Sequence, residues 1–388
     1  MRRWIFVGLV AVSCSKMSLF PQPRSRTEAG GRRPVSETET GQRDLHVYLT
    51  AVVWPEGYDW QRDTAAAEPS LLLLRDGETW LRTALLDGSV HRWRNGHLWE
   101  SGFRDGVTLL LRDGKEFARW DGEEALKGFL PERDGVYTLT QRVGTPGVRL
   151  RRSGELLFAD DRGTVLGSMD ESGWDGGALA KDTEALCYGY FAPSDGGRRE
   201  FRFMEGTELF RLVPPEEWTE IYDARRLGGI LYRTQADAAG LSLLTDGGSG
   251  RIPLPAGSRL NKLLPQDESL LVFGFKESEA WTRHPQHPLY SFPAAKILAD
   301  YYTDGTAEAW IETDADGRVV RLAAPHEPDR MVFLQGDYRL MAPVCGMLRH
   351  GHFAAGLTDL DGGAHLLCLD GMAIPLRFNG YITSICLE

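Results

Sequence analysis

A nine-residue stretch, LLLRDGETW at residues 72–80, decides the fold of this chain, because it returns twice at nearly constant spacing. Residues 109–117 read LLLRDGKEF, and residues 150–158 read LRRSGELLF. Each copy places two β-type runs around an Asp-Gly or Ser-Gly pair, which is the signal of a tight hairpin. The glycines of the three copies stand 37 and 40 residues apart: Gly77, Gly114 and Gly154. A hairpin unit that recurs at this period predicts a β-repeat architecture.

Turn-forming dipeptides occur throughout the N-terminal half of the chain. Their spacing of about 8–13 residues is typical of consecutive antiparallel strands. Few stretches show a helical period, so we expect an all-β protein. The Asp-Gly or Asn-Gly pairs of this half begin at Asp76, Asp87, Asn95, Asp105, Asp113, Asp121 and Asp134.

Two hairpins in about 40 residues make one four-stranded propeller blade. A flat sheet of so many strands would leave long unpaired edges, whereas a closed ring protects them. We therefore predict a single β-propeller of about six to eight blades, closed by pairing of residues 46–53 with residues 382–387. The alternative within the all-β class is an open β-hairpin-repeat solenoid, whose ends would not meet.

The composition is that of an ordinary soluble globular chain, with 42% hydrophobic and 26% charged residues among 388. The formal net charge is -11. Since phosphate binding needs clustered lysine and arginine, this balance argues against a nucleic-acid partner.

The N-terminus has the pattern of an export signal. Arg2 and Arg3 precede the apolar residues 4–12, a run that is too short to span a bilayer but suits a signal peptide. Residues 11–14, AVSC, then resemble the lipobox of bacterial lipoproteins, with Ala11 where leucine is usual. That resemblance implies cleavage before Cys14 and lipidation of its thiol. The alternative is an ordinary secretory signal.

These features predict three segments: a signal peptide at 1–13, a flexible tether at 14–43 and the propeller domain at 44–388. The tether is rich in Ser, Arg, Pro, Gly, Thr and Glu and has no periodicity. Ser15 follows the modified cysteine where aspartate would favour retention in the inner membrane. We therefore expect a protein of the cell envelope, held through its lipid anchor only, at the outer membrane.

Four further cysteines, Cys187, Cys345, Cys368 and Cys386, fit no zinc spacing. An exported protein can oxidise them, and four cysteines allow three pairings. The sequence leaves open whether they form disulfides or stay as buried thiols.

No linear motif indicates catalysis or a cofactor. The chain contains no Walker loop, no HExxH and no GxSxG nucleophile elbow. His284 and His287 are separated by proline, and His350 and His352 share one side only if extended. The acidic stretch 312–317 resembles a calcium loop but has Ala323 where an EF-hand needs a bidentate glutamate. We expect turns at these places, and neither a metal nor a cofactor.

Eleven tryptophans are present, and most of them stand in or beside strands, where large aromatics fill the space between blades. Residues 53–60, VWPEGYDW, read instead as an irregular loop, and loops carry function more often than strands do. We therefore select Trp54, Tyr58 and Trp60 as candidate ligand-binding residues, with core packing as the competing interpretation.

The expected function is a non-enzymatic binding or scaffolding module with a protein or glycan partner. The alternative is an enzyme that acts on glycans or peptides, with acidic and histidine residues from several blades converging at the central channel. Perturbed titration of such residues would favour the enzyme.

Overall fold

The computed structural model describes residues 45–63, 67–165, 180–181, 186–193, 196–205, 207–215, 219–227, 229–246, 250–266, 269–276, 279–285, 290–293, 297–324, 330–341, 345–361 and 364–388. Residues 45–388 form one compact unit, and residues 1–44 lie outside the described part together with the predicted signal peptide, lipobox and tether. No helix in the described residues is long and apolar enough to cross a membrane.

The described part is built from short β-strands. In chain order they are β1 Val47–Val53, β2 Ser70–Arg75, β3 Glu78–Ala84, β4 Asp87–Arg94, β5 His97–Arg104, β6 Val107–Arg112, β7 Lys115–Trp120, β8 Glu124–Glu132, β9 Gly135–Arg142, β10 Val148–Arg152, β11 Glu155–Asp160, β12 Gly163–Val165, β13 Ala180–Lys181, β14 Leu186–Pro193, β15 Glu200–Glu205, β16 Glu208–Leu212, β17 Glu220–Leu227, β18 Ile230–Asp237, β19 Gly240–Thr245, β20 Arg251–Pro253, β21 Arg259–Gln266, β22 Ser269–Lys276, β23 Glu279–Arg283, β24 Tyr290–Pro293, β25 Ile297–Thr303, β26 Glu308–Thr313, β27 Val319–Ala323, β28 Val332–Phe333, β29 Tyr338–Arg339, β30 Gly346–Arg349, β31 His352–Asp359, β32 His365–Leu369, β33 Met372–Leu376 and β34 Gly380–Leu387.

Over the residues that the structure describes, these strands form eight antiparallel sheets, which we number as blades 1–8. From the inner to the outer strand they are β34-β1-β2-β3, β4-β5-β6-β7, β8-β9-β10-β11, β12-β14-β15-β16 with β13 beside β14, β17-β18-β19-β20, β21-β22-β23-β24, β25-β26-β27-β28, and β29 with β30 followed by β31-β32-β33.

Buried apolar clusters fill the spaces between consecutive blades all the way round. Phe201 and Phe203 of blade 4 pack with Ile221 of blade 5, for example. Equivalent clusters join every other consecutive pair, including blade 8 with blade 1. Since the packing returns to its starting blade, the sheets close into a β-propeller, as predicted.

The ring closes through strand β1. This strand pairs antiparallel with β34, with Val47 opposite Leu387 and Val53 opposite Gly380. The inner strand of blade 1 therefore comes from the C-terminus and its other three strands from the N-terminus, which confirms the predicted closure. An open solenoid would have left both of these strands without this partner.

Tight turns join many of the paired strands. In seven two-residue turns of the described chain both residues have positive φ, which is the geometry of the type I′ hairpin. They are Asp76-Gly77, Asn95-Gly96, Asp105-Gly106, Asp113-Gly114, Ser153-Gly154, His350-Gly351 and Asp370-Gly371.

Two of the dipeptides in the predicted hairpin series lie between blades instead. Asp87-Gly88 forms the first two residues of β4, where the chain enters blade 2 with a register shift, and Asp121-Gly122 connects β7 of blade 2 to β8 of blade 3. The dipeptide alone does not distinguish a hairpin turn from a junction between blades, because both need a residue that tolerates positive φ.

Of the cysteines, Cys345 and Cys368 are buried and Cys386 is half-buried. Burial raises the pKa of the Cys368 thiol to about 12, so it stays protonated at neutral pH. The side chain of Cys187 lies outside the described residues.

Antiparallel pairing assigns the connections to two faces of the propeller. The β1–β2 connection (residues 54–69) and the short β33–β34 connection (residues 377–379) lie on one face, which we call the loop face. The turns Asp76-Gly77 and Asp370-Gly371 lie on the opposite face, which we call the turn face. The candidate ligand-binding residues thus lie on the loop face.

Candidate functional site

The three aromatic residues selected from the sequence are brought together on the loop face. The ring centroid of Trp54 is 5.7 Å from that of Trp60 and 6.4 Å from that of Tyr58, with interplanar angles of 12° and 18°. Tyr381, the second residue of β34, completes the cluster at 5.8 Å from Trp54 and 5.4 Å from Trp60. All four rings are partly exposed. Such offset and tilted contacts stabilise an aromatic cluster beyond the burial of its area.

Asn379 holds the aromatic loop in place. Its Nδ2 amide donates to the carbonyl oxygens of Pro55 at 2.8 Å and Tyr58 at 2.6 Å. The backbone N–H of Trp54 in turn donates to the carbonyl of Asn379 at 2.8 Å. The loop is therefore fixed to the end of the closing strand rather than extending freely into solvent.

A second support comes from blade 8. The Nε2 amide of Gln61 donates to the carbonyl of Leu360 at 2.9 Å. Within the loop, the hydroxyl of Tyr58 donates to the carbonyl of Asp63 at 3.2 Å. Tyr58 thus contributes to the shape of the loop, whereas Trp60 presents its ring beside a cavity.

That cavity, which we call the loop-face groove, has a volume of about 810 Å³ and lies between blades 8 and 1. Trp54 and Trp60 line one side. Polar and charged side chains line much of the rest: Glu56, Gln61, Thr79, Arg82, Asp359, His365, Arg377 and Asn379. This mixture of aromatic faces and hydrogen-bonding groups is typical of a site that binds a polar organic ligand.

Two arginines of the groove have no partner among the residues that the structure describes. Arg82 of β3 and Arg377, which follows β33, are exposed and make no hydrogen bond or ion pair with any described residue. By contrast, Arg202 and Arg211 elsewhere both bind the buried carboxylate of Glu200. The groove therefore offers two free guanidinium groups to a ligand.

The interior wall of the groove includes a buried histidine with both ring nitrogens hydrogen-bonded. Buried His365 stacks on Phe378, with ring centroids 4.1 Å apart, and its Nε2 lies 3.0 Å from the carbonyl of Phe378. Its Nδ1 accepts from the backbone N–H of Asp359, since no proton remains for it once Nε2 donates. Burial lowers the pKa of His365, so it is neutral at neutral pH.

A second cavity of about 810 Å³ runs along the inner strands of blades 1, 2 and 8. Residues of β4 and β34 line it over most of their length, and Met341, Met347 and Arg349 of blade 8 complete the wall. We call it the channel cavity. Tyr381 lines it and also contacts Trp54 and Trp60, so the aromatic cluster lies beside this cavity on the loop face.

The channel cavity contains a hydrogen-bonded chain of side chains from two blades. The hydroxyl of Ser89 donates to Oε1 of Glu100 at 3.0 Å, so its oxygen accepts from Nδ1–H of His91 at 3.0 Å. Nε2 of His91 is then the acceptor for the hydroxyl of Thr383, which lies 2.5 Å away on β34. Thr50 of β1 extends the chain at 3.0 Å from Thr383. The chain thus joins the closing strands to blade 2.

Burial perturbs the pKa values of the two titratable side chains in this hydrogen-bonded network. Burial lowers the pKa of His91 to about 4, and burial raises the pKa of Glu100 although Leu86 and Ser89 donate to it. A base of such low pKa is weak at neutral pH, where efficient general bases have a pKa close to the surrounding pH. The hydroxyl of Thr383 is therefore well placed against the imidazole of His91, but this imidazole has little tendency to remove its proton.

His350 and the acidic residues 314–317 lie in turns, whereas His287 of the other histidine pair lies outside the described residues. His350 has φ of 50° in a two-residue turn, so the extended backbone that would align it with His352 is absent. The carboxylate of Asp314 accepts from the backbone of Asp316 and Arg318 and from the guanidinium of Arg318. In the described residues no group of three or more His, Cys, Asp or Glu side chains is placed to hold a metal ion.

Two members of the site were not selected from the sequence, namely Asn379 and Tyr381. Asn379 precedes Gly380, and Tyr381 stands one residue before the predicted closing segment 382–387. Their proximity to Trp54 follows only from ring closure, which the pairing of Val53 with Gly380 produces. Extending the predicted pairing of residues 46–53 with residues 382–387 by a few residues would have placed both of them beside Trp54.

Comparison with known proteins gives the fold only. No protein-family model and no curated protein sequence matches the chain. The structure of apo AztD from Citrobacter koseri matches with a TM-score of 0.51 at 10% identity, over 88% of this chain and 98% of that chain.

Two further structural matches are weaker. The C-terminal WD40 domain of Sif2 has a TM-score of 0.43 at 10% identity, with 86% of this chain and 96% of that chain covered. A prolyl endopeptidase has a TM-score of 0.48 at 11% identity over 77% of this chain, which spans only 50% of the endopeptidase. By its own closed ring of sheets the chain is a β-propeller in which an aromatic loop adjoins a groove on one face, and its ligand is a matter for proposal.

Proposed function

We propose that this chain is a non-enzymatic binding module that takes its ligand on the loop face, with Trp60 as the principal contact. The observation that carries the proposal is the juxtaposition of partly exposed Trp60 with a groove of about 810 Å³ that has free polar groups on its opposite wall. Exposed indole faces provide a large contact area at small entropic cost, and loops on a rigid scaffold are common binding sites.

The rigidity of the loop supports the same proposal. The Asn379 amide and the contact between Gln61 and Leu360 fix the loop before any ligand arrives. A preorganised site avoids the entropic cost of ordering a loop on binding. Four partly exposed aromatic rings at one place also form a patch of the kind that marks an interaction site.

We further propose that the module acts in the cell envelope of a bacterium, held at the membrane through a lipid on Cys14. The support is the sequence resemblance of residues 11–14 to a lipobox and the composition of the segment that follows. Incorporation of radiolabelled palmitate into the full chain, and its loss in Cys14→Ala, tests this anchor. Equal label in both chains would contradict it.

The binding proposal is tested by tryptophan fluorescence of the full chain titrated with a panel of glycans and peptides. We expect a saturable change with at least one ligand, and its loss in Trp60→Ala. The matched control is Trp80→Ala, because Trp80 is 56% exposed on the outer strand of the same blade and lies outside the groove. A response that survives in Trp60→Ala would contradict the proposal.

The hydrogen-bonded chain in the channel cavity favours one alternative, an enzyme that hydrolyses glycans or peptides. In that case the hydroxyl of Thr383 attacks the scissile carbon of the substrate while His91 takes its proton, the leaving group departs with that proton, and water then hydrolyses the bond to Thr383. Hydrolysis assays of the same panel with wild type and His91→Ala test it. Turnover that is lost in His91→Ala would replace the binding module by this enzyme.

A further inference from the structure

The loop-face groove has a charge pattern that its aromatic residues do not explain. Arg82 and Arg377 contribute two exposed guanidinium groups from blades 1 and 8. Neither forms a hydrogen bond or an ion pair among the described residues, although the chain has a net charge of -11 and carboxylates are plentiful. A guanidinium is a planar donor that matches a carboxylate through two parallel hydrogen bonds.

We propose that the groove binds an acidic saccharide, whose sugar ring packs on Trp60 and whose carboxylates pair with Arg82 and Arg377. This inference rests on the proposed function and names the ligand class of the same site. It makes the groove, rather than the channel cavity, the place where ligand is recognised.

The acceptors of the groove favour a saccharide over an acidic peptide. Glu56 is exposed on the aromatic loop and has no partner among the described residues. Asn379 uses only its Nδ2 donor, and Gln61 uses its Nε2 donor, so both side-chain carbonyl oxygens remain available as acceptors. Sugar hydroxyls all round the ring can donate to these three groups, whereas an acidic peptide has only its backbone N–H groups to offer, because its carboxylate side chains carry no proton at neutral pH.

The remaining charged groups of the groove do not compete for the arginines. Asp359 is buried, with 9% of its surface exposed, and its Oδ1 accepts from the backbone N–H of Asp361. Burial lowers the pKa of His365, so it adds no charge at neutral pH. The flat C–H face of a pyranose ring suits the partly exposed indole of Trp60, while its equatorial hydroxyls point outward to the polar wall.

The test is isothermal titration of the full chain in detergent with tetragalacturonate, its uncharged methyl ester and a tetraglutamate peptide. Two charge-assisted contacts make the acid bind roughly ten- to hundredfold tighter than the ester. The double variant Arg82→Gln/Arg377→Gln removes this preference, so that the acid and the ester bind it with similar affinity. The control is Arg133→Gln/Arg199→Gln, which makes the same change of charge at two exposed arginines outside the groove.

Three outcomes overturn the inference. Equal affinity for the acid and its ester would show that the two arginines do not pair with the carboxylates of the ligand. If the affinity for the acid falls equally in the two double variants, the effect comes from the overall charge of the protein and not from the groove. If tetraglutamate binds more tightly than tetragalacturonate, the groove is a peptide site. If a neutral glycan binds and Trp60→Ala abolishes it, the proposed function stands while this inference fails. If no ligand depends on Trp60, the proposed function itself fails.

Discussion

His97 and Asp113, on two different hairpins of blade 2, are joined by a hydrogen bond of 2.7 Å from Nδ1–H to the carboxylate. The other carboxylate oxygen of Asp113 accepts from the backbone N–H of Leu98 at 2.9 Å. The aspartate of one turn thus holds the first residues of the strand next to it. Blades 1 and 8 repeat the arrangement with His46 and Asp76, and with His352 and Asp370.

Replacement of Asp113 by alanine should destabilise the propeller more than replacement of a neighbouring turn residue. Asp113→Ala removes two hydrogen bonds and places alanine at a positive φ of 52°, so we expect a loss of about 2–4 kcal/mol in unfolding free energy. Asp105→Ala is the matched control, because Asp105 has φ of 53° but no such bonds, and it should cost about 1–2 kcal/mol. Urea denaturation measures both. Equal losses would show that the hydrogen bonds contribute nothing.

Replacement of Gly380 should disturb ring closure. A Cβ atom at this position would approach the backbone oxygen of Val52 to 1.9 Å, and backbone cannot yield as a flexible side chain can. We expect Gly380→Ala to lower the unfolding free energy by about 3 kcal/mol or more through overpacking of the closing strands. Gly96→Ala, with open space around it and φ of 76°, should cost only about 1 kcal/mol of backbone strain. A similar melting temperature for the two variants would contradict the register of β1 against β34.

His91 should make the protein less stable in acid. Its pKa is about 4 in the folded chain and 6.5 in a free imidazole, so between these values only the unfolded chain takes up a proton. The contribution of His91 to the free energy of unfolding is complete above pH 6.5 and declines by about 3 kcal/mol as the pH falls to 4. The difference in unfolding free energy between wild type and His91→Gln, measured by urea denaturation at several pH values, isolates this group from other titrating residues. Parallel curves for the two chains would refute the role of burial at His91.

Loss of the Asn379 side chain should loosen the aromatic loop without opening the ring. Asn379→Ala removes two hydrogen bonds to the loop, worth about 1–3 kcal/mol together. We expect faster backbone hydrogen exchange in residues 54–63 and weaker ligand binding. Asn95→Ala, which loses a hydrogen bond to Pro131 at the turn face, should leave exchange in that loop unchanged. Unaltered exchange in Asn379→Ala would mean that ring stacking alone fixes the loop.

Much of the fold follows from local turn chemistry. Positive φ at Asp76, Asp113 and Ser153 is a local requirement, and the sequence shows it directly. In blades 5–7 the connections between the third and fourth strands are longer, at residues 246–250, 284–289 and 324–331, and they lack two-residue turns. The sequence repeat is therefore hard to recognise in blades 5–7, and the sequence predicts only a range of blade numbers.

The site was predictable only in part, because its members come from opposite ends of the chain. An irregular loop rich in aromatic residues marked Trp54, Tyr58 and Trp60 in advance. Asn379 and Tyr381 join them through ring closure, and the pairing of His91 with Thr383 depends on the same closure. Local patterns carry no information about such contacts between distant segments.

The central claim is that ligand binds on the loop face at the aromatic loop. Hydrogen exchange of the full chain, measured by mass spectrometry with and without the tightest-binding ligand of the titration panel, tests it most directly. The account predicts protection in residues 54–63 and 377–381 and no change in the turns of the opposite face. Protection confined to strands β4 and β34, away from residues 54–63, would contradict the claim and move the site into the channel cavity.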